Sequence, residues 1–182
     1  PENQESRLPH NLEAERAVLG MILLDERNLH VVLEFIEPAD FFSKAHRLIF
    51  ETMFAMVGKV AIDLVTLANE LSNLGLMESI GGAAYLAGLV DGLPIGSRGI
   101  ICDYARIVKD KAALRKLVKL SSDVIAESTG GLEPSEEIIA RAVSALTSVG
   151  QAEHAVEIVG IKDVITAAAP SFDRASGGIG VL

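Results

Sequence analysis

Six cations crowd one stretch of a chain whose formal net charge is −9: Arg106, Lys109, Lys111, Arg115, Lys116 and Lys119. On a helix they spread over a broad face. Two readings are open at this point, an ordinary solvated face or a patch for an acidic partner or for phosphate. No aromatic residue is interleaved among them, so base stacking has no platform. The other residues that could do chemistry are scattered. His10, His30, His46 and His154 form no pair at helical spacing, and the single cysteine, Cys102, lies far from any metal-ligand spacing. Tetrahedral zinc wants four converging nitrogen or sulfur ligands, so no metal is expected. The only Gly-Lys pair, Gly58-Lys59, is followed by Val60 and lacks the upstream glycine of a phosphate loop. Without that loop, nucleotide hydrolysis has no site, and no cofactor is expected in this chain. There is no G-x-S-x-G elbow. Glu13 and Glu15, like Glu136 and Glu137, fall at helix starts, where the helix dipole accounts for acids without catalysis.

The acidic balance argues against a surface wrapped around nucleic acid, because neutralising phosphates needs an excess of Lys and Arg. With 49% hydrophobic but only 4% aromatic residues, the core must be built from Leu, Ile, Val and Ala. Cys102 follows the apolar Gly99-Ile100-Ile101 and reads as a buried thiol in a reduced, cytoplasmic setting. No apolar run is long enough to cross a bilayer. Pro1 to Leu8 is polar and has no signal-peptide core.

The elements that must position these residues are helical throughout, so the expected class is all-α. After a flexible lead-in over 1–10, the segment 11–94 reads as a compact head of short helices. Asn11, Asp25, Ser43 and Asp63 are the expected N-caps, and Pro38, Gly58, Gly75 and Gly92-Leu93-Pro94 the expected breaks. The third helix should present Leu48, Ile49, Met53, Phe54 and Val57 on one side.

The style then changes. After Gly99, as far as about Ser128, neither Gly nor Pro occurs, which predicts one long helix. Ile100, Ile107 and Leu114, continued by Ser121, give it a heptad-like seam, filled in by Tyr104, Val118 and Ile125 and interrupted by Lys111. Gly130-Gly131 breaks it. A second helix then carries Ile138, Ile139, Ala142, Leu146 and Val149, completing a helical hairpin over 95–150. The linker, 151–182, includes a short helix over about 159–169 with a docking face of Ile161, Val164, Ile165 and Ala168. Leu120 lies about 140° from the seam at roughly 100° per residue. Leu117, Leu120 and Val124 are therefore candidate partner-binding residues on the hairpin. Burial of the same residues against the head is the alternative.

The order of segments resembles the start of DnaB-type replicative helicases. The resemblance rests on Pro9-His10-Asn11-Leu12-Glu13-Ala14-Glu15-Arg16-Ala17-Val18-Leu19-Gly20 with Ile22-Leu23-Leu24-Asp25, and on Phe41-Phe42 with Ala45-His46-Arg47-Leu48-Ile49-Phe50. It continues through Ile62-Asp63-Leu64-Val65-Thr66-Leu67, Gly81-Gly82-Ala83-Ala84-Tyr85-Leu86, and Tyr104-Ala105-Arg106-Ile107-Val108 with Lys111. It implies an N-terminal, non-catalytic collar. In this family such domains pair through their hairpins, sit on a hexameric ring and recruit the C-terminal domain of primase, with a helicase loader as a further partner. The resemblance implies that the linker helix docks on a neighbouring subunit's RecA-like motor. That motor binds ATP and Mg, engages single-stranded DNA and drives 5'-3' unwinding. The chain ends at Val181-Leu182, about where the motor of a longer parent would open. Direct nucleic-acid contact through the basic face 106–119 is the alternative function. No membrane partner is expected.

Overall fold

The computed structural model describes residues 8–93, 98–131 and 133–150. Among these residues every regular element is helical, as expected of an all-α chain. The order is α1 (Leu12–Leu24), α2 (Arg27–Leu33), a 3-10 turn (Pro38–Asp40), α3 (Lys44–Met56), α4 (Leu64–Asn73), a 3-10 turn (Glu78–Ile80), α5 (Gly82–Gly88), α6 (Arg98–Gly130) and α7 (residues 135–150). The linker helix and its face of Ile161, Val164, Ile165 and Ala168 lie outside the described residues.

Local signals set the helix starts. The Asn11 side chain accepts from the Ala14 amide at 3.0 Å, and Ser43 caps α3 through the His46 amide. Asp63 accepts from the amides of Val65 and Thr66, while the Thr66 hydroxyl accepts from the Asp63 amide, closing a capping box. Asp25 departs from expectation. It closes α1, its amide donating to the Met21 carbonyl, and its carboxylate then holds the amide and guanidinium of Arg27 as α2 begins. Gly58 and Gly75 both stand at positive φ, the conformation that ends α3 and α4.

The chain divides into two compact units, one through Lys119 and one from Leu120. The first unit is the head together with most of α6. Its core is aliphatic, with Phe41 and Phe50 the two fully buried aromatics. Within α3 the buried side is Ile49, Phe50, Met53 and Met56, and Phe54 is exposed. Phe54 was expected inward; the inward position goes to Phe50, which packs on Phe41 with ring centroids 4.9 Å apart. The apolar face of α6 in this unit is Ile101, Ala105, Val108 and Ala112, all buried. That row lies one residue off the expected seam of Ile100, Ile107 and Leu114. The reason is steric. Two alanines in the row let α6 approach the head closely, and the larger Ile100, Tyr104 and Ile107 flank the contact half-buried.

In the second unit α6 turns back through Gly131, at φ 62°, into α7. Arg141 on α7 bridges Glu127 on α6 at 2.8 Å and Glu133 in the turn at 2.6 Å.

Candidate functional site

Three buried polar side chains organise the head, and all three were unremarkable in the sequence. Glu15 points inward from α1 although its neighbour Glu13 is exposed. Its carboxylate accepts from the Phe42 amide at 2.7 Å, the Ser43 amide at 3.2 Å and His46 Nδ1 at 2.7 Å. An ionised carboxylate only accepts, so the proton between them sits on Nδ1. On the other side of the ring, His46 Nε2 and the Tyr85 hydroxyl lie 2.6 Å apart, within hydrogen-bond distance. One hydrogen-bonded chain thus joins α1, the start of α3 and α5. Burial, and then the negative charge of Glu15, raise the Tyr85 pKa above its ordinary value. The hydroxyl therefore stays protonated through neutral pH. The dipole reading of Glu15 is corrected here, because its partners are tertiary. Arg16, the next residue of α1, faces the other end of α5 and donates to the carbonyls of Gly88 and Asp91.

The third buried polar residue is Asp40, and it relocates the basic cluster. Lys109 Nζ lies 2.8 Å from Asp40 Oδ2. Lys116 Nζ lies 3.6 Å from Asp40 Oδ1 and 3.5 Å from Glu37. Arg115 donates to the Pro9 carbonyl at 2.9 Å and to the Asp40 carbonyl, with its guanidinium over the Phe42 ring. The far end of the group pairs within its own helix. Arg106 meets Asp103 and covers the Phe35 ring, and Lys111 meets Asp110. Lys119 is exposed. The six cations are therefore not one solvated face, and Lys109, Arg115 and Lys116 bind the head of their own chain. Periodicity could not show this, since the partner loop lies 69 residues away in the case of Lys109.

The structure separates the hairpin candidates. Leu117 is exposed, whereas Leu120 and Val124 are half-buried. Conversely Leu114, Val118 and Ile125, placed in the seam by their spacing, are exposed. In the second unit the less exposed rows are Leu120 and Val124 on α6, and Ile138, Ala142, Ala145 and Val149 on α7. The exposed apolar residues there are Ile125 (64%), Ile139 (60%), Val143 (58%) and Leu146 (49%). Ile139, Val143 and Leu146 recur at helical spacing and form one stripe along α7. Ile139 and Leu146 were expected on the covered face of this helix, together with Ile138 and Ala142. Ile138, Ala142, Ala145 and Val149 line it instead, and Ile139, Val143 and Leu146 face out. Among the described residues no helix is long and apolar enough to cross a membrane.

The described residues thus comprise a many-helix head with a polar spine and a helical hairpin that carries an exposed apolar stripe. The chain matches the family described as DnaB-like helicase N-terminal domain over residues 7–110, and it belongs to that family. It is 32% identical over 158 residues to the replicative DNA helicase DnaC of Bacillus subtilis, covering 86% of this chain and 34% of that protein. To DnaB of Buchnera aphidicola it is 37% identical over 149 residues, covering 79% of this chain and 31% of the relative. The crystal structure of the N-terminal domain of DnaB helicase from Mycobacterium tuberculosis is similar with a TM-score of 0.70 and 36% identity, covering 76% of this chain and 98% of that one. The chain spans about a third of the length of these curated relatives.

Proposed function

We propose that this chain is the non-catalytic assembly part of a replicative DNA helicase, acting in DNA replication by pairing with copies of itself and receiving primase. The carrying observation is the exposed stripe of Ile139, Val143 and Leu146 with Ile125 nearby in the same unit. A contiguous apolar face on a hairpin has a large desolvation gain when covered, and isolated domains seldom leave one bare. Family membership supplies the context, since the relatives are named as replicative helicases. In the full parent, pairing of hairpins would build a collar on the hexameric ring. Ile161, Val164, Ile165 and Ala168 would dock the linker on the neighbouring motor, where ATP and Mg act. Leu117, exposed on α6, remains a candidate contact for primase, and the half-buried Leu120 and Val124 would join it only where a partner reaches their exposed edges.

The alternative, direct nucleic-acid contact through 106–119, has less to recommend it. Four of its six cations are engaged by the head, Lys109, Arg115 and Lys116 through polar contacts and Arg106 over the Phe35 ring. The reading is tested by sedimentation equilibrium of the purified chain against Val143→Glu. A charge in the stripe is expected to weaken self-association by at least roughly tenfold, as for a central interface residue. Equal association of the two proteins would sink the assignment of this face.

A further inference from the structure

We propose that the contact between α6 and the 37–42 loop is a charge-gated clasp, with Lys116 as its movable jaw. Apolar burial fixes α6 to the head as far as Ala112 and stops there within this unit. Beyond that point Arg115 and Lys116 reach back to the loop. The clasp closes on Asp40, whose side chain has no solvent exposure. Its two oxygens are treated unequally. Oδ2 accepts from Lys109 at 2.8 Å and from the Glu37 amide at 3.0 Å. Oδ1 has no hydrogen-bond partner, and the Lys116 ammonium stands 3.6 Å away, beyond hydrogen-bond reach.

A buried carboxylate oxygen left without a donor is costly, and the cost falls when a cation approaches. Lys116 is shared. It lies at nearly the same distance from Glu37, which is well exposed, and is itself half-exposed. Two engagements of one ammonium group follow: inward on Asp40 Oδ1, or outward on Glu37. Lys109 is mostly covered and holds in both. Arg115 ties the same loop to the N-terminal segment, through the Pro9 carbonyl and through Phe42, against which His10 stacks at 4.3 Å. Anything anionic that draws Lys116 away, such as an acidic segment of a partner, weakens the hold on Asp40 and loosens the loop.

The test is carboxyl footprinting of the intact chain. A carbodiimide couples a small amine to accessible carboxylates, and each site is read by mass spectrometry. Glu13 serves as the exposed reference. Glu15, buried in a separate network, serves as the reference for a folded head. Lys116→Met should raise Asp40 labelling several-fold at low salt, and raising ionic strength from about 0.05 M to about 0.5 M should raise it less, because a pair 3.6 Å apart with one member buried is only partly screened. Glu15 should stay protected in both cases. Asp40 remaining as protected as at low salt, in the variant and in high salt alike, would overturn the clasp. So would Asp40 and Glu15 becoming reactive together, since the whole head would then be opening.

Discussion

Glu15 carries more of the head than any other single polar residue. Its carboxylate satisfies two backbone amides and a histidine at once, from a position with almost no solvent. Glu15→Ala leaves those three donors buried and unpaired. A loss of about 3 kcal/mol or more is expected, since each buried donor left unpaired costs about 1–3 kcal/mol. Urea unfolding measures it, and a loss below about 1 kcal/mol would mean that water replaces the carboxylate. Tyr85→Phe removes only the outer link and should cost about 0.5–1.5 kcal/mol, the ordinary range for one hydrogen bond. None of this was legible in the sequence. Glu15 and His46 are 31 residues apart, and each alone has an unremarkable local explanation. What the sequence did contain was their setting: Glu15, His46 and Tyr85 each fall in a different one of the segments that resemble the family.

At the level of elements, the caps at Asn11, Ser43 and Asp63 were readable because capping is a local matter of a few residues. The face of α6 was not. A heptad seam presumes one helical partner, whereas α6 meets a globular surface over its first half. The row of Ile101, Ala105, Val108 and Ala112 makes the close approach there, with Ile100, Tyr104 and Ile107 half-buried beside it. A second close approach holds α1 against the end of α5. Gly20 is buried on α1, and a methyl group added there would fall on the Leu89 carbonyl and the Leu93 side chain. Alanine would normally favour a helix, but here it must push α5 away. Gly20→Ala is expected to destabilise the head by about 1–3 kcal/mol, as overpacking does. A thermal midpoint equal to or above that of the parent would show that the α1–α5 contact yields freely.

For the whole molecule, the apolar stripe of α7 and the exposed Leu117 lead to separable expectations. Calorimetric titration with the C-terminal domain of the same organism's primase should show binding, and Leu117→Glu should weaken it by roughly tenfold or more if that residue is an anchor. Val143→Glu should instead act on self-association. Loss of primase binding in Val143→Glu with none in Leu117→Glu would move the docking surface to the stripe, or make it dependent on pairing.

The chain from Glu15 through His46 to Tyr85 also has a direction in time. A ribosome releases α1 first, then α3, and α5 after a further interval of sequence. Until Tyr85 has emerged, the outer nitrogen of His46 has only water to bond. The Glu15 network is thus completed on the arrival of α5, and that of Asp40 only when Lys109 follows on α6. A nascent chain stalled before α5 should remain a substrate for chaperones, although most of its core residues have already been made.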